Sequence, residues 1–191
     1  MEIIIRPVEN EDFPAVFALA AESVKYQISP LRENVDIEKA RENFLRDLES
    51  VRLNLPERPD SHFLVAMSPE DGFLGYLFMA TDVVEGTTGI FQAWIFDIAL
   101  EDNNWGNDVP HRLLDRAEGI AREKGLKHIA LQITCSHEGA MNFFKSRGYF
   151  EERKRMYKKL PFNEVDREAL RREMLQVFKG RAFKFKVPFK K

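Results

Sequence analysis

The chain has 191 residues, of which 44% are hydrophobic and 31% are charged; this composition is typical of one folded domain and excludes an intrinsically disordered chain. Its formal net charge of −2 predicts no general attraction to nucleic acids, and no apolar run approaches the roughly 20 residues of a membrane-spanning helix. The single cysteine excludes an internal disulfide bond, so we expect a soluble, cytoplasmic protein without a membrane segment.

The first half of the chain is predicted to form one strand, two helices and a meander of three strands. β-Branched residues favour the first strand, and apolar side chains at helical spacing indicate the helices, the first of which is expected to be capped by Asn10. The predicted segments are a strand at 2–6, helices at 11–25 and 36–51, a hairpin of strands at 62–67 and 73–80, and a strand at 90–100.

The second half alternates helices with strands, an order that predicts a mixed sheet covered by helices. The predicted segments are a polar loop at 101–108, a helix at 109–124, a strand at 127–135, a helix at 138–146, a strand at 149–160, a helix at 164–178 and a strand at 181–191. Phenylalanine and lysine alternate in the last strand, which suits a sheet edge where a second copy of the chain could pair to form a homodimer.

Short motifs in the middle of the chain carry a family resemblance. In order, they are Asp97-Ile98-Ala99-Leu100, Leu113-Leu114, Ala117-Glu118, Ala121-Arg122, Ala140 and Gly148-Tyr149. Their spacing, and the order of the predicted elements over residues 2–160, resemble the GNAT superfamily of N-acetyltransferases. The resemblance implies an α/β fold of the α+β type, with a mixed, mostly antiparallel sheet flanked by helices. Residues 1–160 would form this domain, and residues 161–191 would extend it by a helix and a strand.

The resemblance also implies a substrate pair and a cofactor-binding loop. Acetyl-CoA would donate the acetyl group, and a primary amine of a small molecule or peptide would accept it between the 26–35 loop and the 149–160 strand. In the family, a loop of the pattern Q/R-x-x-G-x-G/A holds the pyrophosphate of coenzyme A by its backbone N–H groups. The residues implied to contact the cofactor are Leu100, Gly106, Asn107, Asp108, Val109, Pro110, His111, His137 and Phe144.

Several of these positions depart from the family pattern. As the expected N-cap of the central helix, Asp108 would accept hydrogen bonds from the N–H groups that a pyrophosphate needs, and Pro110 removes one donor. Trp105 replaces the cationic or amide residue of the loop. His137 stands where asparagine is common, and we expect it to cap the following helix or to contact a ligand. Phe144 stands where many members have the tyrosine that protonates the departing thiolate, a role that phenylalanine cannot perform.

Asp97 is the first candidate for the catalytic base, because it matches an acidic position near the end of the fourth strand. Alternatively, it only forms a hydrogen bond near the strand end. Glu101 is the second candidate and Glu138 a further one. Cys135 would close the fifth strand near the thioester, where a lone thiol is expected to be inert core rather than to form an acyl-enzyme. The four histidines form no i, i+4 pair and a second cysteine is missing, so no metal site is predicted.

Two functional hypotheses stay open at this stage. The first is an N-acetyltransferase in which Asp97 or a water relay serves as the base. The second is a degenerate protein of the same fold that has lost acetyl-CoA binding and binds another ligand or a protein partner. The matched motifs favour the first hypothesis, whereas Asp108, Pro110 and Phe144 favour the second, and fold alone cannot decide between them.

Overall fold

The computed structural model describes residues 2–101 and 107–160. The helix and the strand predicted within 161–191, together with Trp105 and Gly106, lie outside the described residues, so the homodimer expected from the last strand stays a prediction. In the described part of the chain, no helix combines the length and the hydropathy that are required to cross a membrane.

The described residues form four helices and five strands. The helices are α1 (Phe13–Gln27), α2 (Ile37–Asn54), α3 (Asp108–Glu123) and α4 (Glu138–Ser146), and the strands are β1 (Ile4–Pro7), β2 (Ser61–Ser68), β3 (Gly72–Val84), β4 (Phe91–Leu100) and β5 (Ile129–Leu131). Asn10 is not the N-cap of α1 as predicted, because a 3₁₀ turn at Asn10–Asp12 precedes the helix. α2 begins after Asp36, whose carboxylate accepts the N–H of Lys39 at 3.1 Å.

The strands form one sheet in the order β1-β2-β3-β4-β5. Neighbouring strands are antiparallel except β4 and β5, which are parallel and pair only from Ala93 with Ile129 to Ile95 with Leu131. β4 then continues to Leu100 while β5 ends, so the two strands separate beyond this pairing. The predicted mixed, mostly antiparallel sheet flanked by helices is confirmed.

Both faces of the sheet are buried, because successive side chains of a strand point to opposite faces and here enter two different cores. On β2, Phe63 and Val65 pack in a core with residues of α1 and α2, whereas Leu64 and Ala66 pack in a second core with residues of α3 and α4. This explains why β2 reads as a continuous apolar run rather than as an alternating pattern.

Two features of the C-terminal half differ from the prediction. The fifth strand is much shorter than 127–135, since it leaves β4 after Leu131, and Cys135 lies exposed in the following loop rather than in the core. Among the described residues, 150–160 carry neither helix nor strand, so the strand predicted there is wrong. Phe150 and Leu160 are 92% and 70% exposed, so they form no apolar face that would fix a register in a sheet.

Candidate active site

A cavity of about 490 Å³ opens where β4 and β5 separate. Its walls are the C-terminal half of α1, the part of β4 from Trp94 to Leu100, residues 131–134, and one side of α4 together with its cap His137. All of these belong to the compact unit formed by residues 1–152. The volume lies in the range of roughly 300–1,000 Å³ that is usual for small-molecule sites.

A β-bulge in β4 sets the direction of Asp97. Asp97 pairs with Phe78 of β3 and Ile95 pairs with Met79, which leaves Phe96 as an extra residue between the two pairs. Phe96 and Asp97 therefore lie opposite Phe78, and the rings of Phe96 and Phe78 stack at 5.3 Å. The face of β4 that carries Asp97 is the one covered by α1.

The half-buried carboxylate of Asp97 accepts two side-chain hydrogen bonds. The hydroxyl of Tyr76, a fully buried residue of β3, donates to Oδ2, and Nε2 of Gln27, the last residue of α1, donates to Oδ1 at 3.0 Å. Burial raises the pKa of Asp97 to about 6, and both hydrogen bonds oppose that rise. Asp97 is therefore mostly ionised at neutral pH, while its pKa is close enough to neutrality for proton exchange.

Tyr76 is held in its protonated form at this site. Burial is the main cause that raises the pKa of Tyr76 well above its ordinary value, and the nearby charge of Asp97 acts in the same direction. Its hydroxyl consequently remains a hydrogen-bond donor to Asp97 at any pH at which the protein would be assayed.

Sequence reasoning does not find Tyr76 or Gln27, which lie 21 and 70 residues from Asp97 along the chain. The one available signal is that a carboxylate within an apolar strand requires hydrogen-bond donors. Which residues provide them depends on the strand register and on where α1 ends relative to β4, and neither follows from local patterns.

The other predicted catalytic residues lie outside the cavity wall. Glu101 follows β4 directly and Glu138 is the first residue of α4, but neither lines the cavity. The exposed Cys135 does not line it either. Of the predicted catalytic acids, the structure brings Asp97 alone into the cavity.

The N-terminus of α3 differs from the prediction by one residue. Asn107 is the N-cap, with an extended backbone (φ −100°, ψ 177°), and Asp108 is the first helical residue. The prediction that Asp108 caps the helix is therefore wrong, because the chain enters the helix one residue earlier. At the first helical position a carboxylate interacts favourably with the helix dipole. Pro110 is the third helical residue, where its missing N–H breaks no intrahelical hydrogen bond.

The remaining predicted cofactor residues of this region have packing roles. Leu100 lines the cavity, Val109 and Pro110 are fully buried, and the ring of His111 lies edge-on to Phe143 at 5.0 Å. The side chains of Val109, Pro110 and His111 are thus engaged within the protein, whereas those of Asn107 and Asp108 are exposed. A ligand contact at Val109 or Pro110 would therefore use the main chain. Gly106 lies outside the described residues.

His137 caps α4, as predicted: its Nδ1 accepts the N–H of Ala140 at 3.4 Å. Burial lowers the pKa of His137, which favours the neutral imidazole, and its ring lies 5.0 Å from that of Tyr26 on α1. Phe144 is buried on the cavity wall in edge contact with Tyr149. It contributes apolar surface and no proton donor.

The acceptor was expected between the 26–35 loop and residues 149–160. Tyr26 and Gln27 line the cavity, whereas residues 149–152, which belong to the same compact unit, do not. No group of three or more histidine, cysteine, aspartate or glutamate side chains that could hold a metal ion occurs within residues 2–101 and 107–160.

Comparison with known proteins gives one family and a set of similar structures. The model of the family described as Acetyltransferase (GNAT) family matches residues 29–149, and no curated protein matches the chain significantly. A candidate acetyl transferase from Pyrococcus furiosus superposes with a TM-score of 0.66 at 24% identity, covering 83% of this chain and 100% of that chain. The PaiA N-acetyltransferase of Thermoplasma acidophilum, in complex with coenzyme A, gives 0.61 at 21% identity, covering 77% and 89%.

A transcriptional regulator from Bacillus halodurans gives a TM-score of 0.61 at 16% identity, covering 83% of this chain and 100% of that chain. At identities this low, the likeness to these structures concerns the fold alone.

Proposed function

Since this chain belongs to the GNAT acetyltransferase family, we propose that it transfers the acetyl group of acetyl-CoA to a primary amine of a small molecule or peptide. The observation that carries the proposal is the cavity between β4 and β5, which has Asp97 on its wall. The coenzyme A complex of the Thermoplasma acidophilum protein supports the choice of donor.

The residues around the cavity fit acetyl-CoA. Beyond Ile95, the main chain of β4 is not paired with β5, so β5 leaves its polar groups on this side to a ligand, apart from the N–H of Ile98, which donates to Asp97. We propose that the main chain at Leu100 and at the start of α3, from Asn107 to Val109, holds the coenzyme, because the first N–H groups of a helix suit an anion. When bound, acetyl-CoA would supply an acetyl group activated as a thioester.

Asp97 acts as the base in the proposed reaction. An amine enters largely as an ammonium ion and is nucleophilic only after it loses a proton, which the mostly ionised Asp97 accepts at neutral pH. The cavity is open, so the carboxyl group can return this proton to solvent. Phe144 donates no proton to the leaving sulfur, and none is strictly required because a thiol with a pKa of about 8.5 is partly ionised near neutral pH.

A second candidate function is favoured by Pro110 and Phe144. Pro110 removes one N–H donor from the first turn of α3, and Phe144 offers no hydroxyl to the cavity. Both residues suit a protein that keeps the fold but binds another ligand or a protein partner without turnover. Asp97 would then only accept the hydrogen bonds of Tyr76 and Gln27.

The substitution Asp97→Asn tests the proposed function. We expect the natural chain to acetylate members of a panel of primary amines, and we expect Asp97→Asn to lose kcat/KM by about 100-fold or more, which is a typical contribution of a general base. Asp47→Asn changes the same residue type at an exposed position of α2 and should retain full activity.

Calorimetric titration with acetyl-CoA distinguishes the two candidate functions. If the chain is an acetyltransferase, the natural chain and Asp97→Asn should both bind acetyl-CoA, since Asp97 acts on the acceptor amine. If the natural chain neither binds acetyl-CoA nor acetylates any amine, the proposal is refuted and the second function is favoured.

A further inference from the structure

Gln27 connects the two sides of the opening between β4 and β5. Its side chain donates a hydrogen bond from Nε2 to Oδ1 of Asp97 on β4, at 3.0 Å. Its main-chain carbonyl accepts a hydrogen bond from the hydroxyl of Thr134, also at 3.0 Å, in the segment that follows β5. The last residue of α1 is thus tied to both walls of the cavity, although it is itself exposed.

The two carboxylate oxygens of Asp97 have different surroundings. Oδ2 accepts the hydroxyl of the fully buried Tyr76, so this oxygen faces the core beneath α1. Oδ1 accepts the exposed amide of Gln27 and therefore lies on the open side of the carboxylate. A carboxylate oxygen carries two lone pairs. The carboxylate as a whole has about four lone-pair positions. Tyr76, Gln27 and the main-chain N–H of Ile98 use three of them, which leaves one position of the carboxylate for a proton.

Titratable side chains reach this region from three elements. They are Glu22, Lys25 and Tyr26 of α1, Tyr76 of β3 and His137 at the N-terminus of α4. The pKa of Asp97 is raised by burial and lowered by hydrogen bonds from Tyr76, from the main chain of Ile98 and from Gln27. Local hydrogen bonding, rather than the charge of a neighbouring side chain, therefore opposes the effect of burial.

We propose that Gln27 is a positioning residue of the acetyl transfer: its amide holds Oδ1 of Asp97 at the cavity and stabilises the carboxylate, so that this carboxylate receives the proton of the acceptor amine. This inference rests on the proposed function. In that step an N–H bond of the ammonium ion breaks, an O–H bond forms on the carboxylate of Asp97, and the electron pair stays on the nitrogen. Gln27 itself exchanges no proton.

The substitution Gln27→Met removes the donor at nearly unchanged side-chain length. We expect the pKa of Asp97, followed by ¹³C NMR of its carboxyl carbon, to rise by about one unit, the size of a lost hydrogen bond to a charged group. The acid limb of the pH profile of kcat/KM should move upward by the same amount. Gln27→Glu should raise the pKa further, because it also places a second carboxylate beside Asp97.

Gln132→Met is the matched control, since Gln132 is another exposed glutamine on the cavity wall, and it should leave the pKa of Asp97 in place. An unchanged pKa of Asp97 in folded Gln27→Met overturns the inference, whatever the activity. A raised pKa with an unmoved acid limb also overturns it, because Asp97 would then not be the proton acceptor.

A failure of the proposed function can be distinguished from a failure of the inference about Gln27. A natural chain that acetylates no amine refutes the function and the catalytic role of Gln27 together. The NMR titration of Gln27→Met would still report whether the hydrogen bond stabilises the carboxylate of Asp97.

Discussion

At Asp97, two effects of the surrounding protein act in opposite directions on one carboxyl group. Removal from water raises its pKa, and donors from Tyr76 and Gln27 lower it, with a result near 6. A fully solvated aspartate, with a pKa near 3.9, would be a weaker base, and an unassisted buried one would be protonated at neutral pH. The pairing of burial with two donors therefore keeps the group both ionised and basic.

The pH dependence of the proposed reaction follows from this pKa. The active form carries ionised Asp97, so kcat/KM should fall about tenfold per pH unit below pH 6 and should lose this dependence above it. A pH profile of kcat/KM checks this, measured with an amine whose own charge does not change over the same pH range. A profile that is flat down to pH 4.5 would exclude Asp97 as the base.

At the scale of elements, an ion pair fixes the entry to α1. Arg6 of β1 donates two hydrogen bonds to the nearly buried carboxylate of Asp12, at 2.6 and 2.8 Å, and the same carboxylate accepts the N–H of Glu9 at 2.8 Å. The bond from Arg6 is the main cause that lowers the pKa of Asp12 below its ordinary value. The stability from this contact is present above the unfolded pKa and is lost as the pH falls through the folded pKa.

Asp12→Asn should lower the free energy of unfolding by about 2 kcal/mol at pH 7, because it removes hydrogen bonds between charged groups in a partly buried site. The difference from the natural chain should shrink below about pH 4, where the Asp12 carboxylate of the unfolded chain begins to be protonated while that of the folded chain stays ionised to a lower pH. Urea denaturation at pH 7 and pH 3 measures both values. Glu49→Gln, which breaks the more solvent-accessible pair with Arg52, is the control and should have little effect. Equal losses in the two variants would contradict this account.

The pairing of β3 with β4 requires a glycine at position 75. Gly75 has φ +154°, and a Cβ added there would lie 2.5 Å from the carbonyl oxygen of Ala99. Gly75→Ala should therefore destabilise the fold by about 3 kcal/mol, since a main-chain oxygen cannot move aside as a flexible side chain does. Gly86→Ala has open space around the new methyl group and should leave the stability nearly unchanged. Thermal melts of the two variants measure the difference. Similar melting temperatures for the two variants would show that β3 and β4 tolerate a shift here.

At the scale of the whole molecule, ligand binding and folding are linked. If acetyl-CoA binds the folded chain, then at a concentration 100 times its Kd it should add about 2.7 kcal/mol to the stability. This corresponds to a rise in Tm of about 5–10 °C for a chain of this size. ATP, which carries phosphates but no pantetheine arm, is a suitable control and should give a smaller shift. Equal shifts with both compounds would indicate nonspecific anion binding.

What the sequence predicts well in this molecule is local, and what it misses is non-local. The cap at His137 and the helices are set by nearby residues, so their patterns predict them. The end of β5 depends on where β4 turns away, and the donors to Asp97 depend on a strand register and on a helix end 70 residues distant. The N-cap at Asn107 was missed by one residue, because Asn107 and Asp108 are both good capping residues and only the backbone angles distinguish them.

The bulge at Phe96 also determines how the chain could change in length. Ile95, Ile98 and Leu100 pack against one core, and Asp97 and Ala99 lie on the opposite face, because the bulge adds one residue between Ile95 and Asp97. A deletion of Phe96 alone would restore regular alternation and leave all later side chains on their present faces. A deletion between Asp97 and Leu100 would instead move every side chain that follows it to the other face of the sheet. We therefore expect position 96 to be the place in β4 where evolution can remove a residue and keep the site.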